Sequence, residues 1–190
     1  MRQADRFIRW YDEALGAKVC HEIVERFDRD KRTMAGLVAG NDGPEFEPLK
    51  QTRELILPDD GWTDIKQTLQ QNLFGYCARY QADTRFLVGS EHKDIVAEPL
   101  RVKKYEKGGQ FHWHIDSSSR PTITRCLAVQ WYFNTVEEGG CTEFEDQDAD
   151  IAPVEGRIAF FPVGWMYRHR GAPPLSGPKY VCTTFLHPKF

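Results

Sequence analysis

The stretch "YEKGGQFHWHIDSSS", residues 105–119, brings His112, His114 and Asp116 together just after a glycine pair. Successive side chains of a strand point to opposite faces, so His114 and Asp116, two positions apart, share a face. A neutral imidazole and a carboxylate side by side can hold one divalent cation from that face. A third ligand must then come from far along the chain. His169, in "MYRHRGAPP", follows a strand-like run and is the expected partner.

Two histidines and one carboxylate on one face of an octahedron leave three positions open, the donor set of non-haem Fe(II) oxygen chemistry. His112 shares the His114 face by the same period and is the alternative ligand. An HxH pair would suggest a cupin-like site, but that pattern adds a glutamate three or four residues later, where Ser117 and Ser118 stand here. His112 is therefore read as a neighbour of the site or a surface residue. Lys179 follows His169 by ten positions and begins the run "KYVCTTFL". A lysine starting a strand that runs back beside the metal strand can anchor an anion several ångströms from the ion. A compact ammonium suits a carboxylate, above all when a phenol helps hold it. Tyr105, on the strand leading into the HxD pair, is the candidate phenol.

The elements that must position these residues are legible in outline. Residues 17–28, "AKVCHEIVERFD", put Val19, Cys20, Ile23, Val24 and Phe27 on one helical face, and a second helix is expected over 62–80 from Ile65, Leu69, Leu73, Cys77 and Tyr80. "AGNDGPEFEP" between them reads as an irregular, turn-rich connection. From about residue 98 the texture changes to short β-branched and aromatic runs: "PLRVKKY", "RCLAVQWYFN", "GRIAFFP" and "KYVCTTFLH". Such density predicts a β-sandwich or jelly roll, and the segregation of helices from strands predicts an α+β, mainly β fold with helices buttressing a sheet. The expected organisation is one domain over 1–190, with 1–97 as a helical N-terminal support and 98–190 as the β core.

Bulk properties narrow the partners. The chain has 190 residues, 41% hydrophobic, 13% aromatic and 28% charged, with a net charge of −3. That is an ordinary globular composition with no broad electrostatic reason to bind nucleic acid or an anionic membrane. No apolar run approaches the roughly 18 residues of a membrane span. The first 19 residues lack the apolar core of a secretory signal. Five cysteines, odd in number and without a CxxC pair, predict reduced thiols and a cytoplasmic setting. The acidic loop "EFEDQDAD" lacks the glycine and terminal glutamate of a calcium-binding EF-hand loop and reads as a solvated turn. Trp113, Trp131, Trp165 and Tyr167 flank the centre in sequence, mostly as packing residues. Trp165 and Tyr167 would share a face beside His169 and could line a substrate groove. Arg168 and Arg170 take the opposite parity from the ligand, as surface charges or contacts for an acidic substrate.

Taken in order, the motifs resemble the Fe(II)/2-oxoglutarate-dependent oxygenases, in their prolyl 4-hydroxylase-like branch. The matching stretches are "KKYEKGGQFHWHID", with Lys104 at the family's asparagine position, then Arg125 with "WYFN", and "EEGGCTEF" with Gly139, Gly140, Thr142 and Phe144 at GGxTxF. "PVEGRIAFF" and "RHRGAPPLSGPKYV" follow, with His169, Pro173, Gly177 and Lys179 in step. The resemblance covers about half the chain, from near 98 to near 188. It implies a double-stranded β-helix with His114, Asp116 and His169 as iron ligands, and Lys179 on the distal carboxylate of 2-oxoglutarate with Tyr105 in support. It implies hydroxylation of an unactivated C–H bond, most readily on a prolyl residue of a peptide or protein, with 2-oxoglutarate decarboxylated to succinate. Fe(II), 2-oxoglutarate and O2 would be required, with ascorbate as reductant. The alternatives are a hydroxylase of a free amino acid or other small molecule, and a catalytically silent ligand-binding barrel. Ala128 departs from the family, standing where many relatives place a threonine near the cosubstrate.

Overall fold

The computed structural model describes residues 5–39, 44–46, 50–85 and 95–188. Its first half contains β1 (Arg9–Tyr11), α1 (Ala17–Arg29), β2 (Met34–Ala35), β3 (Leu37–Ala39), β4 (Pro44–Phe46), β5 (Arg53–Ile56), α2 (Thr63–Thr84) and β6 (Ile95–Ala97). Its second half runs through β7 (Arg101–Tyr105), β8 (Phe111–His114), β9 (Leu127–Tyr132), β10 (Thr142–Phe144), β11 (Asp150–Ile151), β12 (Ile158–Pro162), β13 (His169–Gly171) and β14 (Lys179–Pro188).

Helix α1 forms where the apolar period predicts it. Cys20, Ile23 and Phe27 are buried, while Arg26 and Arg29 occupy the last turn, where cations complement the helix dipole. Helix α2 buries Ile65, Leu69, Leu73 and Tyr80 along one stripe. It continues to Thr84, past the expected end at residue 80, and stops where Arg85 enters the left-handed region. Both helices pack on one face of an eight-stranded antiparallel sheet of order β1-β12-β9-β14-β7-β5-β2, with β6 also on β14. Leu127, Val129 and Trp131 of β9 point to the helices, and Ala128 and Tyr132 to the other side. The buried Trp131 indole donates to Asn72 Oδ1 at 2.8 Å, and Asn72 Nδ2 donates to the Ala14 carbonyl at 2.6 Å, so the polar atoms that join helix to sheet are paired.

A second sheet, β11-β10-β13-β8, faces the first. Between them lies a second core that includes Tyr105, Ala128, Phe144, Phe161 and Val181. Two antiparallel sheets face to face, with helices outside the larger one, make the expected double-stranded β-helix. Two expectations are corrected. The segment before residue 98 is not only a helical support, because β1, β2 and β5 extend the large sheet. These strands span 2–4 residues, too short to show a period, and their partners decide their conformation. Within "AGNDGPEFEP", Ala39 and Pro44–Phe46 belong to the β3–β4 pair rather than to an irregular connection, and the other positions of that stretch lie outside the described residues.

Leu69 is fully buried. Leu69→Ala should lower stability by about 2–5 kcal/mol, whereas Gln70→Ala on the exposed face should change it by less than about 0.5 kcal/mol. Urea denaturation of the purified variants provides the check.

Candidate active site

Strand pairing brings the distant ligands together. β13 pairs with β8 so that His169 lies directly opposite His114, and β10 places Phe144 opposite His169 on the other side. Asp116 follows the end of β8. Its carbonyl accepts a hydrogen bond at 3.1 Å from Arg125, whose guanidinium is clamped to Glu98 at 2.6 and 2.7 Å. The carboxylate thereby turns back between the two rings. His114 Nε2 lies 3.4 Å from Asp116 Oδ1, and His169 Nε2 lies 3.2 Å from Asp116 Oδ2. The three ligating atoms all fall within 4.8 Å of one another. His112 does not join them. Its side chain is exposed, and only its carbonyl takes part.

That carbonyl sets a tautomer. His114 Nδ1 lies 2.7 Å from the His112 carbonyl, and His169 Nδ1 lies 3.0 Å from the Tyr167 carbonyl. A carbonyl only accepts, so each Nδ1 carries the proton and each Nε2 lone pair faces Asp116. This is the outer arrangement that orients metal-ligating histidines. Ligands about 2.0–2.2 Å from a divalent ion on adjacent octahedral corners lie about 3 Å apart, close to the two histidine–carboxylate spacings. Burial opposes the Asp116 charge, yet the adjoining His169 and His114 rings hold its carboxyl well below the usual range. Burial, followed by the charge of His169, pushes His114 down, which favours the neutral ring a metal needs. Phe111 stacks on His114 with centroids 3.6 Å apart, and Phe144 and Phe161 pack around His169.

A cavity of about 720 Å³ opens beside the triad, with His114, Asp116, Lys50, Arg101, Lys103 and Thr183 in its wall. Lys179 faces the interior from the large sheet. Its strand runs beside β7 and β9, not beside the metal strand β8 as expected. The buried Lys179 ammonium donates to the Gly140 carbonyl at 2.7 Å and lies 4.2 Å from the centroid of the Tyr105 ring. Tyr105 is thus its neighbour, through the ring face. The glycine pair explains the turn that supplies this carbonyl. Gly139 has φ 71°, and a Cβ there would lie 2.3 Å from the Pro173 carbonyl oxygen. Burial, above all, pushes the Lys179 ammonium down to about 7.

The flanking residues divide. Trp165 is 78% exposed and Tyr167 only 8%, because β13 begins at His169 and the preceding residues form a turn; they do not share a face. Tyr167 buries its ring and donates to Asp5 at 3.3 Å. Arg168 and Arg170 pair with Glu145 and Glu143 at 2.6 Å and lie near the Trp113 ring, so they neutralise part of the acidic loop.

The profile of the 2OG-Fe(II) oxygenase superfamily matches residues 100–187. That match falls on the β-helix half of the chain, which carries His114, Asp116 and His169. Over 106 residues, 48% of this chain and 20% of the relative, it is 35% identical to prolyl 4-hydroxylase subunit alpha-2 of Gallus gallus. It is 31% identical to subunit alpha-1 of Homo sapiens over 108 residues, 48% of this chain and 20% of the relative. The chain thus spans about a fifth of the length of these curated relatives. Among solved structures, a prolyl hydroxylase from Trichoplax adhaerens in complex with a hypoxia inducible factor peptide fragment superposes with a TM-score of 0.77 at 16% identity, covering 96% of this chain and 84% of that one. A Pseudomonas putida prolyl-4-hydroxylase gives 0.72 at 15% identity, with 97% and 94% covered. These similarities confirm the fold.

Sequence reasoning passes over Lys50, Glu54, Arg101 and Lys103, because a lone lysine or arginine on a strand reads as solvent-exposed. Only parity could flag Lys103, which shares the Tyr105 face two positions away. Replacing His169 with alanine should weaken Fe(II) binding beyond the roughly 10–100-fold carried by outer hydrogen-bond partners. His112→Ala should retain it, since the backbone carbonyl remains. Anaerobic Fe(II) titration of the two variants, with circular dichroism to verify folding, distinguishes these outcomes.

Proposed function

We propose that this protein is an Fe(II)- and 2-oxoglutarate-dependent dioxygenase that hydroxylates a prolyl residue in a peptide or protein. The observation that carries the reading is the buried convergence of His114 Nε2, His169 Nε2 and an Asp116 carboxylate on one point. These three residues would hold the iron, which supplies with 2-oxoglutarate and O2 the oxidising power for C–H hydroxylation. Lys179, with Tyr105 against it, would hold the distal carboxylate of 2-oxoglutarate. Arg125 keeps the Asp116 turn in place, and the Phe111, Phe144 and Phe161 rings exclude water from the ligand side. Ascorbate would keep the iron reduced. Five free cysteines fit a reducing, cytoplasmic setting.

The purified protein should form succinate from 2-oxoglutarate only with Fe(II) and O2, and ascorbate should prolong turnover. Mass spectrometry of a proline-containing peptide library should show a gain of one oxygen. Succinate formation that survives metal chelation would sink the reading.

Lys179→Ala should weaken 2-oxoglutarate binding by about 2–5 kcal/mol, roughly thirtyfold to several thousandfold, with far less effect on Fe(II). A bound carboxylate favours the ammonium, so the pKa of Lys179 rises from about 7 when the cosubstrate binds. Affinity should be full below pH 7 and fall up to about tenfold per unit as pH rises above it. Anaerobic titrations across pH 6–9 test the sign; Lys179→Ala should flatten the profile.

A further inference from the structure

Lys103 is 9% exposed and belongs to the cavity wall beside the triad. It sits on the inner face of β7, opposite Glu54 of β5 and Val181 of β14. Glu54 is its main counter-charge, but it acts without direct contact and is shared. Glu54, the cluster's carboxylate, lies 2.9 Å from Lys50 Nζ and 3.2 Å from an Arg101 guanidinium nitrogen. Lys50 also donates to the Leu37 carbonyl, at 2.5 Å. Three cations therefore surround one carboxylate. The Lys103 ammonium makes no hydrogen bond or ion pair with a described residue, and its interactions with Glu54 and Asp116 act only at longer range. Asp116 belongs to the metal ligands and is not free to neutralise it.

Lys103 is a buried side chain in the cavity wall, and a cavity that presents an ammonium without a hydrogen-bonded protein partner is complementary to an anion. Lys179, the anchor proposed above, is placed differently. It lies outside the cavity wall and already donates to a carbonyl. Thr183, across from Arg101 in the β7–β14 register, adds a hydroxyl to the same wall. We propose that Lys103 is a second carboxylate anchor within this cavity, receiving a carboxylate of the cosubstrate or of the substrate itself. The proposal rests on the oxygenase reading above and deepens it. An ammonium on this wall selects an acidic ligand where an aliphatic residue would not.

The test uses the Zn(II)-loaded protein, which binds without turnover. Wild type and Lys103→Met are titrated by calorimetry with 2-oxoglutarate and with 2-oxopentanoate, which keeps the 2-oxo acid end and lacks the distal carboxylate. A loss of at least tenfold for 2-oxoglutarate alone assigns the distal carboxylate to Lys103, shared with Lys179. A loss for both probes assigns the near one. If both affinities hold, the substrate arm decides. With 2-oxoglutarate saturating, wild type should bind N-acetylproline at least tenfold more tightly than N-acetylprolinamide, and Lys103→Met should lose that preference. Affinities within twofold of wild type for every probe, with no preference for acid over amide, overturn the proposal and leave Lys103 as a distant counter-ion of Glu54. Wild type that fails to bind 2-oxoglutarate at all refutes the oxygenase reading instead. Lys103→Gln, which keeps most of the volume and a polar end, carries the same comparisons if the methionine variant fails to fold. The wild-type preference for acid over amide needs no variant.

Discussion

The Asp116 carboxylate lies buried between two imidazole nitrogens, 3.4 and 3.2 Å away, and much of the barrel follows from keeping it there. An isolated buried charge costs several kcal/mol even after relaxation, so the carboxylate persists only where its surroundings are fixed. That fixing is layered. The β8–β13 register sets the separation of the rings, two backbone carbonyls set their tautomers, and Arg125 holds the Asp116 carbonyl. Arg125 is itself pinned by Glu98 and by the Phe185 ring, whose centroid lies 3.8 Å from its guanidinium. Each Nε2 lone pair and the carboxylate face the same point, an arrangement complementary to a cation. A divalent cation there would satisfy both lone pairs and the carboxylate at once.

The barrel interior mixes the second apolar core with polar groups, and the larger apolar core lies elsewhere. The outer face of the large sheet provides it. There Val102, Val129, Trp131 and Phe160 alternate with the inward residues and meet Ile23 and Phe27 of α1 and Ile65 and Leu69 of α2. With the helix layer carrying the larger core, the inner face has room for polar side chains beside the second core. Gln130, Thr142, Tyr132 and Thr183 form one such inner network, with Thr142 Oγ1 3.1 Å from Gln130 Nε2 and 2.8 Å from the Tyr132 hydroxyl. Thr183 joins it by donating to Gln130 Oε1 at 3.4 Å. The network keeps every one of these buried groups partnered, as a low-dielectric interior requires.

What the sequence makes legible follows the same division. The candidate triad His114, Asp116 and His169 can be read because a metal site calls for particular residue types at particular parities, and the motifs around them are ordered. The four long strand-like runs after residue 98 can be read because strands buried on both faces are rich in β-branched and aromatic residues. The short strands β1, β2 and β5 cannot, since their conformation comes from the neighbours they pair with. Trp165 and Tyr167 depart from expectation for a related reason: parity holds only inside a strand, and β13 does not extend back to them. Lys103 stays hidden because nothing local distinguishes a buried lysine from an exposed one; its burial depends on β5 and β14 flanking β7.

The interior holds two lysines on neighbouring strands, Lys179 opposite Tyr105 and Lys103 opposite Val181 in the same register. Burial, first of all, pushes Lys103 down to about 8 and Lys179 to about 7. Lys179 can therefore lose its proton near neutral pH and Lys103 about a unit higher, whereas an arginine would stay charged. An entering carboxylate reverses the balance, because the ion pair restores the ammonium. For Lys179, charge would thus arrive together with its counter-ion. The arrangement also makes anion binding take up protons, so carboxylate affinity and local pH are linked by the same two side chains. A guanidinium at either position would remain charged throughout and lose that linkage, which is a physical reason for lysine rather than arginine at these two positions.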